Sequence, residues 1–98
     1  MIMIAVAIRY ELRLPGVTSL KEKRRIVRHI VDGLSSRFRI AIAEVGENDI
    51  HQRAQVGVAI VSRTAFGADK VAHQVEKFIE ATHGVEILGR HRSYIEED

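Results

Sequence analysis

No cysteine occurs among the 98 residues, so disulfide frameworks and thiolate metal sites are both excluded. The Cys-x-x-Cys of small heavy-metal chaperones goes with them. No glycine-rich phosphate cradle is present, nor the glycine-and-arginine phosphate loop of acylphosphatases, and Ser62 and Thr64 lie in no nucleophile motif. His29, His73, His83 and His91 share no ligand-like spacing. Long apolar runs are missing too. The opening Met1 to Ile8 is apolar, but it alternates, lacks a preceding basic region and is interrupted by Arg9, Glu11 and Arg13. It reads as a strand rather than an export or membrane segment. These absences lead to the expectation of a cytoplasmic, non-enzymatic protein with no cofactor, no bound metal and no membrane partner.

What is present is an ordinary globular balance, 46% hydrophobic and 29% charged. The length suits one domain over residues 1–98, able to bury roughly 60% of its unfolded surface in a single core. The net charge of +2 hides an asymmetry. Met1 to Val45 carries nine Lys and Arg against four acids, whereas Gly46 to Asp98 carries six against nine. A basic half attracts polyanions.

From Ile2 to Leu14 every even position is apolar or Tyr10, while Arg9, Glu11 and Arg13 fall on odd ones. That period of two predicts a strand, stopped at Pro15-Gly16. Ser19-Leu20-Lys21-Glu22 has the form of a capping box, with the Ser19 hydroxyl on the Glu22 amide and the carboxylate reaching back to the Ser19 amide. Behind it Leu20, Val27, Ile30, Val31 and Leu34 form a helical stripe, ending near Ser35 to Arg37. Within it Gly33 costs roughly 1 kcal/mol relative to alanine. Phe38 to Ala43 predicts a second strand, Gly46 to Asp49 a turn, and Ala54 to Ser62 a third strand. A second helix follows over roughly Ala68 to Thr82, with Gly84 as its C′ residue. Val85 to Ile95 completes the pattern, leaving Glu96-Glu97-Asp98 as a frayed end. The order βαββαβ predicts an α+β, ferredoxin-like fold, a four-stranded antiparallel sheet with two helices on one face.

Two helices cover one face of such a sheet. The other would carry Ala5, Ala7, Ala41, Ala43, Gly57, Ala59 and Val61, where a solvated face shows Lys, Glu and Thr. A small apolar face of this kind implies a cover, either a second copy or another protein. On the first helix Lys21, Arg24, Arg25 and Arg28 fall opposite the apolar stripe, at a spacing that tracks phosphates. Lys23 points into the apolar arc, so its stem must snorkel or its ammonium must meet a partner. The third strand, Gln55 to Ile60, has no aromatic residue, so base stacking on the sheet in the manner of RRM domains is disfavoured. Glu47, Asp49 and His51 cluster in the predicted hairpin; such a polar turn is more simply solvated than metal-bound. Glu44 and His51 form at most a weak acid–base signal.

The run Leu14-Pro15-Gly16-Val17-Thr18-Ser19-Leu20-Lys21-Glu22-Lys23-Arg24-Arg25 resembles the segment that marks the bacterial YlxP-like family. So do Ala43-Glu44-Val45, Gln52-Arg53-Ala54 and Gly57-Val58-Ala59-Ile60-Val61-Ser62. His51 departs from the pattern, which places an aromatic residue before the Gln-Arg pair, and Thr64 to Ala68 is less polar than the family's entry to its second helix. The family is a domain of unknown function. The neighbourhood of its genes to translation-initiation and ribosome-maturation genes implies a role near the ribosome. The expectation is therefore an accessory factor that binds RNA or the ribosome through Lys21, Lys23, Arg24, Arg25 and Arg28. The alternatives are a homo-oligomeric interaction module using the apolar sheet face, and a small enzyme with a polar site at Glu44, Gln52 and Arg53.

Overall fold

The computed structural model describes residues 2–47 and 50–98. The chain runs β1 (Met3–Arg13), α1 (Leu20–Arg37), β2 (Ala41–Gly46), β3 (Arg53–Ser62), α2 (Ala65–Ala81) and β4 (Glu86–Glu97). The sheet order is β2-β3-β1-β4 and every neighbouring pair is antiparallel. This is the ferredoxin-like α+β arrangement that the sequence predicts.

The period-two pattern of β1 has a direct structural cause. Ile4, Val6, Ile8, Tyr10 and Leu12 are all buried on one face, against Val56, Val58 and Ile60 of β3. Val27, Ile30 and Leu34 of α1 close the core with Ala68, Ala72, Val75 and Ile79 of α2. Burial pushes the Tyr10 phenol up to about 12, assisted by the nearby Glu76 carboxylate.

Four boundaries or local details differ from expectation. β2 begins at Ala41 rather than Phe38, because the Phe38 amide donates to the Leu34 carbonyl and closes α1 instead of joining the ladder. α2 begins at Ala65, capped by the Thr64 hydroxyl, which accepts from the Gly67 amide. That cap has no acidic residue three positions on and so lacks the capping-box signature. Glu96 and Glu97 are not frayed: they pair with Ile4 and Met3 as the end of β4. On an edge strand the backbone is paired along one side while the carboxylates stay in water. At α1 the Ser19 hydroxyl accepts from the Glu22 amide as predicted. The Glu22 carboxylate, however, takes the amide and hydroxyl of Thr18 rather than the Ser19 amide.

Gly33 has a tertiary reason. A Cβ there would collide with the ring of Phe78 from α2. That ring stacks on His29 and lies under the Arg37 guanidinium, 4.7 Å from its centroid. The glycine therefore sets how closely the two helices approach.

Candidate functional site

α1 presents two populations of cations. Lys21, Arg24, Arg25 and Arg28 are exposed and, with Ser19 and Glu22, line one open groove along the solvent side of the helix. Their spacing puts them one turn apart on a shared face. Among the described residues none of the four is in an ion pair. Lys21 also runs against helix electrostatics: the first turn of a helix favours acids, and only Glu22 supplies one there. The stripe therefore adds little to the stability of the helix that carries it.

Lys23 belongs to the other population, which corrects its assignment to the nucleic-acid stripe. It is 1% exposed, and its ammonium lies 3.2 Å from Glu44 Oε2. It also donates to the Glu47 backbone carbonyl. Glu44 Oε2 is buried and makes no aligned hydrogen bond, so the contact with Lys23 is one of charge at short range. Glu47 holds a left-handed φ of 59°, and Lys23 binds the carbonyl of that residue. The apolar-arc direction of Lys23 follows from the first contact of α1 with the end of β2. No phosphate reaches this ammonium.

The three polar candidates do not converge. Glu44 faces the helices beneath Lys23. Gln52 donates its side-chain amide to the Pro15 and Val17 carbonyls, at 3.3 and 3.2 Å, while its own carbonyl accepts from the Leu14 amide at 2.9 Å. It sews the β1–α1 loop to the start of β3. Arg53 lies on the opposite face of the sheet, paired directly with Arg13. His51 is exposed beside Gln52. Glu44, Gln52 and Arg53 thus have separate structural surroundings and form no shared cleft. Among the described residues no group of three metal-ligating side chains occurs, and Asp49 of the Glu47–His51 cluster lies outside the described residues.

The open sheet face carries the predicted Ala5, Ala7, Ala41, Ala43, Gly57, Ala59 and Val61, in register across β1, β2 and β3. Its described part has no Phe, Tyr or Trp, so it lacks the aromatic platform of RRM-type sheets, although Arg9, Arg13, Arg53 and His91 lie on it. One group that sequence reasoning missed lies at its polar end. Glu11 accepts from Gln55 at 3.4 Å, lies 3.1 Å from His91 Nε2 and 3.5 Å from Arg9 Nη1. The hydrogen bond with His91 holds the Glu11 carboxyl below its ordinary value, with Arg9 and Arg53 adding to the effect. Glu11 and His91 are 80 residues apart, and only the β1–β4 ladder, which pairs Arg9 with His91, brings them together.

Comparison with known proteins gives a consistent result. The profile of the family described as "Protein of unknown function (DUF503)" matches residues 5–92. The uncharacterized protein YlxP of Bacillus subtilis (strain 168) is 34% identical over 68 residues, 69% of this chain and 74% of YlxP. Among solved structures, the de novo designed protein Foldit4 superposes with a TM-score of 0.54 at 10% identity, over 98% of this chain and 97% of the design. A C-terminal segment of the alpha subunit of aIF2 from Pyrococcus abyssi gives 0.51 at 8% identity, over 98% of this chain and 51% of that one. At those identities the two structures show the fold alone.

Proposed function

Because the chain belongs to the DUF503 family of proteins of unknown function, its activity has to be argued from its own surface, and we propose that it is a non-enzymatic factor that binds RNA phosphates through α1. One observation carries this reading: Lys21, Arg24, Arg25 and Arg28 share one exposed face, and among the described residues none of them is in an ion pair, since the Glu22 carboxylate in the same groove is held by Thr18. Cations spaced a helical turn apart bind a phosphate backbone by releasing its counterions, independently of base sequence. The absence of Phe, Tyr and Trp from the described sheet face supports the same mode, since RRM-type recognition there would use such rings. The partner expected is structured RNA, such as that of the ribosome.

Filter binding to ribosomal RNA across a salt series tests this. Four phosphate contacts give a log–log slope of about −3 to −4. Replacing all four cations with alanine should abolish binding, whereas Lys23→Met should leave the slope unchanged in protein that remains folded. A flat salt response, or no binding near ~100 μM, overturns the reading.

A further inference from the structure

We propose, on the footing that this protein binds RNA, that the outer face of α2 takes a single-stranded segment of that RNA, with an unpaired base on the ring of Phe66 and phosphates of the strand on Lys70 and Lys77. The other sides of α2 are occupied. Ala68, Ala72, Val75 and Ile79 are buried beneath it. Phe78 meets α1, where His29 stacks on its ring and the Arg37 guanidinium lies over it. Asp69 and Glu76 turn to Arg92 and Arg90 of β4. What remains toward water is Phe66, Lys70 and Lys77, at i, i+4 and i+11 of one exposed face, with His73 on the side toward β4. This face looks away from the sheet, as the α1 stripe does.

The two phenylalanines of α2 differ as a ring used by the fold differs from a ring left bare. Phe66 is 69% exposed, more than any other large hydrophobic side chain among the described residues. Among those residues it has no ring partner, and Lys70 does not lie on it, although the spacing would allow that. Neither Lys70 nor Lys77 is in an ion pair among the described residues. The helix thus sorts its charges, with acids turned to β4 and lysines turned to water beside an open ring.

That combination suits a single strand. Stacking on an aromatic ring needs only the π-face that every base has, and it works together with cations that follow the backbone. Lys70 lies one turn beyond Phe66, about 6 Å of helix axis, which suits the phosphate of a stacked nucleotide. Lys77 lies about 10.5 Å further on, for a later phosphate. A duplex makes poor use of the ring, since its bases are already stacked on one another. A membrane surface fits less well, because an interfacial helix buries a whole apolar face and α2 turns one ring to water.

Fluorescence anisotropy tests this with a labelled single-stranded RNA of about twelve nucleotides and a blunt duplex of the same length. Phe66→Ala should weaken the single strand by about tenfold or more at an unchanged salt slope, while Phe66→Trp retains it and the duplex is bound alike by all three. The double variant Lys70→Ala/Lys77→Ala should lower the slope by about 1.4, two phosphates at about 0.7 each. Equal binding of the single strand by wild type and Phe66→Ala overturns the proposal. So does an equal loss on the duplex, or attachment to vesicles of anionic lipid that depends on Phe66. If the α2 variants change nothing while the fourfold α1 variant loses RNA, the Phe66 site fails and phosphate binding by α1 stands. If the α1 variant keeps the single strand and the α2 variants lose it, the assignment of the phosphate site to α1 fails instead. A wild type that binds no RNA near ~100 μM removes both.

Discussion

Helices α1 and α2 are almost equal in length, 18 and 17 residues, yet the protein treats their charges in opposite ways. The acids of α2 are answered from the sheet. Asp69 pairs with Arg92, and Arg90 pairs with Glu76 while lying 3.5 Å from Glu80. These contacts strap α2 to the edge strand β4. Among the described residues the cations of α1 meet no carboxylate except at Lys23, where Glu44 and the Glu47 carbonyl close around the ammonium, while Arg37 at the far end lies over the Phe78 ring. The contrast separates charge used to hold the fold from charge left for a ligand. Neighbouring residues 23 and 24 fall on opposite sides of that division.

The largest way to break the comparison is at Lys23. Lys23→Met leaves Glu44 beside an apolar stem and releases the left-handed Glu47. Removing one partner of a buried pair costs about 3–5 kcal/mol, and the 24% exposure of the Glu44 side chain places the expected loss nearer ~2–3 kcal/mol. Adding Glu44→Leu should recover most of it, because two apolar groups need no pairing. Urea unfolding of both variants measures this. An unchanged midpoint for Lys23→Met would mean that the pair does not brace the hairpin.

A smaller effect sharpens the difference between the helices. Arg90→Ala removes a partly exposed strap between β4 and α2 and should cost about 0.5–1 kcal/mol. The fourfold alanine variant of Lys21, Arg24, Arg25 and Arg28 should change stability by no more than ~0.5 kcal/mol, and upward if at all. Alanine is the better helix former, and mutual repulsion near the positive helix terminus is relieved. A clear destabilisation of that variant in thermal unfolding would show that the stripe is structural after all.

How much of this was legible in the sequence depends on the reach of each interaction. β1 could be read in full because its alternation is local, and its core face needs no knowledge of the partner. The direction of Lys23 was legible for the same reason. Its partners were not, since Glu44 lies across a strand that the sequence places only roughly. Gly33 read as a local cost to the helix; its cause is Phe78, brought in by the packing of α2. Gln52 looked like a site residue because no neighbour explains it, and its explanation is the Pro15 and Val17 carbonyls at the far end of the β1–α1 loop. The capping box was half legible, since the hydroxyl contact depends on spacing and the carboxylate contact depends on how the chain enters the helix.

Glu11 and His91 provide the finest test of the distinction between answered and unanswered charge, because both sit at the surface. The Glu11 carboxyl is held below its ordinary value of 4.5, first by its hydrogen bond with His91 and then by the neighbouring cations. A lowered folded value favours the native state at pH above the ordinary carboxylate range. That contribution fades as pH falls through the lowered value. His91→Ala removes the main cause, so Glu11 should titrate closer to 4.5, although Arg9 and Arg53 keep it from returning completely. Acid unfolding of the variant should begin at slightly higher pH than in the wild type. Carboxyl-carbon NMR of Glu11 in the two proteins measures the shift without depending on stability. If Glu11 titrates at the same pH in both, His91 does not hold it, and the pairing across β1 and β4 is no more than proximity.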